Sequence, residues 1–104
     1  MSLKTRETNA SLSSGYTSEG LEKDGPRATL VATFSGLTTT RSAWIEQSVD
    51  GDTWMKSPGS DVTLTAGQTN QMWNDDVTPR GTLLRLRVAS GTGRVTTVKL
   101  LSNG

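Results

Sequence analysis

The groups able to do chemistry in this chain are ten Asp and Glu carboxylates, eleven Lys and Arg side chains, three tryptophans, Tyr16 and many hydroxyls. There is no His and no Cys among the 104 residues. Without His there is no Ser-His-Asp or Cys-His relay and no imidazole base. Without Cys there is no disulfide, thiol nucleophile or Cys/His zinc site. Adjacent Asp75 and Asp76 on a strand point to opposite faces, so they cannot work as an acid and base pair; they read as solvated charges or loop caps. Asp50-Gly51-Asp52 resembles part of a calcium loop, but further oxygens at the usual spacing are missing, and a turn explains all three residues. No catalytic residue, metal or cofactor is expected, and the chain reads as a non-enzyme.

Binding chemistry is the remaining option. Trp44, Trp54 and Trp73 could stack on sugar rings, and Trp73, among Gln71, Asn74 and Asp75, is the best candidate for an exposed platform. Arg85 and Arg87, with Arg80 and Arg94 nearby, could line a sheet face, yet in sequence the aromatics do not interleave with them as a single-strand binder requires. A subunit-facing or solvated surface is the expectation for Arg85 and Arg87. Ser90-Gly91-Thr92-Gly93-Arg94 lacks the Lys-Ser/Thr and the helix of a phosphate loop and reads as a turn.

The elements that must hold these residues are strands. With 17 Thr, 12 Ser and 11 Gly, the composition favours short strands and turns. Residues 27–34 alternate, with Ala28, Leu30, Ala32 and Phe34 on one face. Further strands are expected at residues 42–48, 53–56, 62–64, 82–88 and 94–101, with residues 68–77 leading to a turn at Pro79-Arg80-Gly81, six or seven strands in all. Leu84, Leu86 and Val88 should point inward; in the last strand Val98 and Leu100 should lie opposite Val95, Lys99 and Leu101. Asp50-Gly51 predicts a two-residue hairpin. The fold class is all-β: a small antiparallel sandwich or jelly roll of six to eight strands.

Residues 1–26 lack either period, and their apolar members Leu3, Leu12, Tyr16 and Leu21 are scattered. They read as an extended or flexible arm, with those four as candidate partner contacts, ahead of one domain at residues 27–104. The body is small, and domains of that size bury only about 60% of their unfolded surface. An oligomer or a large partner surface is therefore expected. A net charge of +1 gives no polyelectrolyte signal, so neither nucleic acid nor membrane is expected. No apolar run reaches the ~20 residues of a membrane span. Met1–Glu7 has no apolar signal core, which points to synthesis in a cytoplasm.

Two hairpins carry a resemblance: Phe34-Ser35-Gly36-Leu37 leading to Ser48-Val49-Asp50-Gly51-Asp52-Thr53-Trp54, and Leu84-Arg85-Leu86-Arg87-Val88 leading to Ser90-Gly91-Thr92-Gly93. Together they resemble small β-sandwich virion proteins of tailed bacteriophages, over about residues 28–101. The resemblance implies structural duty at the capsid surface. A decoration or cement protein would bind the major capsid protein as a homo-oligomer, dimer or trimer, and stabilise the head. Alternatives are a carbohydrate-binding module, virion-displayed or not, and a neck or tail component.

Overall fold

Strict alternation in two segments builds the centre of the molecule. In β4 (Arg27–Ser35) every second residue from Ala28 to Phe34 is buried, and in β9 (Leu83–Val88) Leu84, Leu86 and Val88 are buried. The computed structural model describes residues 2–103 and, among them, contains strands and no helix. The protein is all-β, with two antiparallel sheets. One has the order β1 (Ser2–Ser11), β10 (Arg94–Asn103), β4, β8 (Asn70–Asp75). In the other, β9 pairs with β5 (Arg41–Ser48); β2 (Tyr16–Thr17) and β3 (Leu21–Glu22) flank β9, while β6 (Met55–Lys56) and β7 (Val62–Leu64) flank β5. The facing sides meet in one apolar cluster that includes Leu30, Phe34, Ile45, Leu84, Leu86, Val98 and Leu100.

Seven strands follow residue 26, in or beside the segments expected from sequence. The N-terminal segment adds three more, so it is not a free arm. β1 is laddered to β10 from Ser2↔Ser102 to Ser11↔Arg94. Leu12 and Leu21 are 0% and 1% exposed and belong to the core. Between them the chain crosses from the first sheet to the second, where Tyr16 pairs with Val88 and Leu21 with Leu84.

The reason β1 shows no apolar alternation is its position at a sheet margin. Lys4 and Arg6 stand opposite Leu100 and Val98, Lys4 half-buried and Arg6 exposed at the rim of that face. There they meet carboxylates from the crossing segment: Lys4 Nζ lies 3.1 Å from Asp24, and Arg6 Nε lies 3.0 Å from Glu19. Charges at an edge strand also discourage strand addition.

Two local readings are corrected. Simple alternation puts Val95 on the outer side of β10, but it is buried alongside Val98. The β10–β4 register shifts between Val95 and Thr97, and this bulge turns two residues three apart to one face. Asp50-Gly51 does not close a two-residue hairpin either; the β5–β6 ladder ends at Gln47↔Met55, and the residues between form a wider loop. That loop is self-bonded. Asp50 Oδ1 accepts from the Asp52 and Thr53 amides, both at 2.8 Å, and Ser48 Oγ accepts from Gly51 N at 2.9 Å. These amides lower the Asp50 pKa, so its carboxylate is committed to the turn.

Candidate interaction surface

On the outer face of the second sheet, register brings together what sequence holds apart. Trp44 stands opposite Arg87, and Glu46 stands opposite Arg85 on one side and Lys56 on the other. Aromatics and cations therefore do interleave here, because β5 and β9 are adjacent in the sheet although far apart in the chain. Glu46 is the hub: its Oε1 takes Arg85 Nη2 at 2.7 Å and Arg85 Nε at 2.8 Å, and lies 3.6 Å from Arg87 Nη1. Its Oε2 accepts from Trp44 Nε1 at 3.3 Å. Burial alone would raise the Glu46 pKa, but the bonds from Arg85 and Trp44 and the charges of Arg85 and Arg87 bring it below the usual glutamate value.

The tryptophan faces are already covered. Arg85 lies 4.1 Å over Trp54, and Lys56 lies 4.4 Å over Trp44 with Arg87 at 5.8 Å. Trp54 also rests against Gly20, where a Cβ would come within 2.9 Å of the ring. Arg85 is thus largely consumed by Glu46 and Trp54, while Arg87 keeps more of its head in solvent. Of the two arginines singled out from sequence, Arg87 is the one able to reach a partner.

A second surface lies along the open side of the sandwich, between β8 and the β6–β7 margin. A groove of about 400 Å³ is lined by Ile45, Val62, Met72, Trp73, Asn74 and Val77, among others. A smaller hollow of about 150 Å³ continues it past Gln47 to Val49, Met55 and Pro79. Val49, Met55, Met72 and Val77 are exposed, and apart from Leu3 they are the large exposed hydrophobics of the described residues. Among the described residues, the only charged one lining either hollow is Asp75, which has an internal partner. Such a strip can do one thing chemically: exclude water against another uncharged, apolar surface. Methionine adapts its shape to such contacts.

Trp73 is corrected as a sugar platform. It is 5% exposed, and its Nε1 donates to Ser60 O at 2.8 Å, which fixes the ring into the groove wall. Leu12 and Leu21 are corrected as partner contacts, since the core encloses both. Leu3 is exposed on the outer edge of the first sheet. Tyr16 is half-buried beside a shallow cleft with Arg6, Thr8 and Glu19. Burial pushes its hydroxyl pKa up, assisted by Glu19 and opposed by a hydrogen bond with Thr8.

Sequence reasoning missed one buried polar cluster. Lys23 Nζ is fully enclosed, donating to Thr78 O at 2.7 Å and Thr78 Oγ1 at 3.2 Å, and lying 3.5 Å from Asp75 Oδ2. Asp75 also accepts from the Val77 and Thr78 amides and from the Thr78 hydroxyl. It is a loop cap, one of the two roles its sequence context allows, but a buried one. Burial would raise its pKa, yet the Thr78 and Val77 bonds and the Lys23 charge set it below the usual aspartate value. Lys23 gave no signal because it sits in the charged run Glu22-Lys23-Asp24. Among the described residues no group of three His, Cys, Asp or Glu is placed to hold a metal ion. Compared with known proteins, the chain matches no family model, no curated protein and no solved structure.

Proposed function

We propose that this chain is a non-enzymatic virion structural protein, a capsid decoration protein that binds the head surface as a homo-oligomer and stabilises it. The observation that carries this reading is the uncharged apolar strip Val49, Met55, Met72 and Val77 along the open side of an otherwise hydroxyl-rich sandwich. The hairpin motifs within residues 28–101, similar to those of phage virion sandwiches, supply the class. In this mechanism the strip seats on the major capsid protein, and linkage within the oligomer multiplies weak single contacts. Arg87 adds a steering charge at the neighbouring sheet face.

The test is reconstitution. Purified protein mixed with undecorated heads should bind saturably at a fixed stoichiometry and raise their resistance to heat. Met72→Lys combined with Val77→Lys should abolish binding while leaving the fold intact. Failure to bind heads overturns the decoration reading, and binding to isolated necks or tails instead would move the protein there.

A further inference from the structure

Arg41 opens β5, and its guanidinium lies beneath the reversal between β9 and β10. The side chain is 6% exposed. Its Nη2 donates to Thr39 Oγ1 at 2.9 Å and Thr92 Oγ1 at 3.3 Å, with a longer contact of 3.5 Å to Thr39 O. Nε and Nη1 are buried and meet no acceptor among the described residues. None of the ion pairs among the described residues includes Arg41. A guanidinium stays protonated in proteins, so this is an enclosed positive charge that no carboxylate of the described residues pairs. Enclosing a charge in that way is strongly unfavourable unless an anion completes it. The other enclosed cation, Lys23, has Asp75 for that purpose.

The enclosure is shaped for the guanidinium. A Cβ on Gly91 would fall 2.5 Å from Arg41 Cζ, so only glycine at that position admits the side chain where it lies. Two exposed loops close over it through Thr38 Oγ1 and Thr92 Oγ1, 2.6 Å apart, and Thr38 N donates to the same Thr92 hydroxyl at 3.0 Å. An ion would have to part these two Thr38–Thr92 bonds to reach the guanidinium.

We propose that Arg41, with the hydroxyls of Thr38, Thr39 and Thr92, forms a binding site for free inorganic phosphate. The guanidinium fork matches phosphate and carboxylate oxygens alike. The Nε and Nη1 hydrogens, the Thr39 hydroxyl and the one hydroxyl hydrogen left over in the Thr38–Thr92 pair together outnumber the roughly four lone-pair positions of a carboxylate, and the four oxygens of phosphate accommodate them. The depth of the nitrogens beneath the threonine loops selects a small free ion over a group carried on a macromolecule. This inference is independent of the capsid reading.

The test titrates inorganic phosphate into the full chain at constant ionic strength, with chloride as the balancing ion, and follows backbone amide shifts and thermal stability. Saturable shifts confined to residues 38–41 and 89–93, with a rise in Tm, are expected. Thr92→Val, at an exposed position, should weaken the response about tenfold, the loss of one hydrogen bond to a charged group. Arg41→Lys should abolish saturation; Thr92→Val keeps the test decisive if the lysine variant fails to fold. Absent or scattered shifts, a Thr92→Val titration equal to wild type, or an equal response to acetate would each overturn the phosphate assignment.

Discussion

At the scale of single residues, the Lys23–Asp75–Thr78 cluster is the most sensitive to mutation. Removing one partner of a buried ion pair leaves an uncompensated charge and costs about 3–5 kcal/mol. Asp75→Ala is therefore expected to lower the unfolding free energy by that order, read from urea denaturation. The same carboxylate sets an acid limb. Its folded pKa lies below the unfolded value of about 3.9, so its contribution is complete above that pH and is lost as pH falls through the lower folded value. Glu46 is shifted in the same direction and adds to the same limb. Stability measured from pH 6 to pH 2 should fall more gently in Asp75→Asn than in wild type. A steepness equal to wild type would assign the limb to other groups. The capping role of Asp75 was legible in sequence as one of two readings; its burial and its Lys23 partner were not, because Asp75 is one of an adjacent acidic pair and Lys23 one charge in a run of three.

At the scale of elements, β1 and the crossing segment behave as structure. Deleting residues 1–11 would strip β10 of one ladder partner and expose Val98 and Leu100 beside an unpaired edge. The truncated chain should lose its cooperative unfolding transition. Leu12→Ala, at a fully enclosed position, should cost about 2–5 kcal/mol through lost burial and a residual cavity. A folded, cooperative truncation would restore the arm as a separate element. Strands after residue 26 were readable because their side chains divide between core and solvent. β1 was not, because at the sheet margin Lys4 and Arg6 take the positions opposite Leu100 and Val98 and form ion pairs there, and that erases the apolar period.

At the scale of the whole molecule, the proposed partner rests on a different feature than core size. A thin core was one ground for an oligomer, but the N-terminal segment contributes Leu12 and Leu21 to that core. The stronger ground is the apolar strip along the open side. Charge placed there should separate folding from association. Met72→Lys and Val77→Lys, both at exposed positions, should each change stability by no more than about 0.5 kcal/mol. Sedimentation should nevertheless show weaker self-association or head binding, by about tenfold for each 1.4 kcal/mol of binding free energy removed. Unchanged association in both variants would place the interface elsewhere, with Leu3 and Arg87 as the next surfaces to alter.

The sequence by itself determined the all-β class and the inward faces of β4 and β9, and it placed six or seven strands after residue 26, where the structure has seven. These depend on the period-two division of side chains, which is local. It also settled which chemistries need His or Cys and so are closed to this chain. Only the tertiary structure decided that the segment before residue 27 is part of both sheets, that Trp73 is wall rather than platform, and that Trp44 and Arg87 are neighbours. Strand partners, bulges and margins are set by residues far apart in the chain, and a one-residue change of register moves a side chain to the opposite face. The buried Arg41 belongs to the same group, because the enclosure of its guanidinium exists only once Thr39, Gly91 and Thr92 have been brought around it.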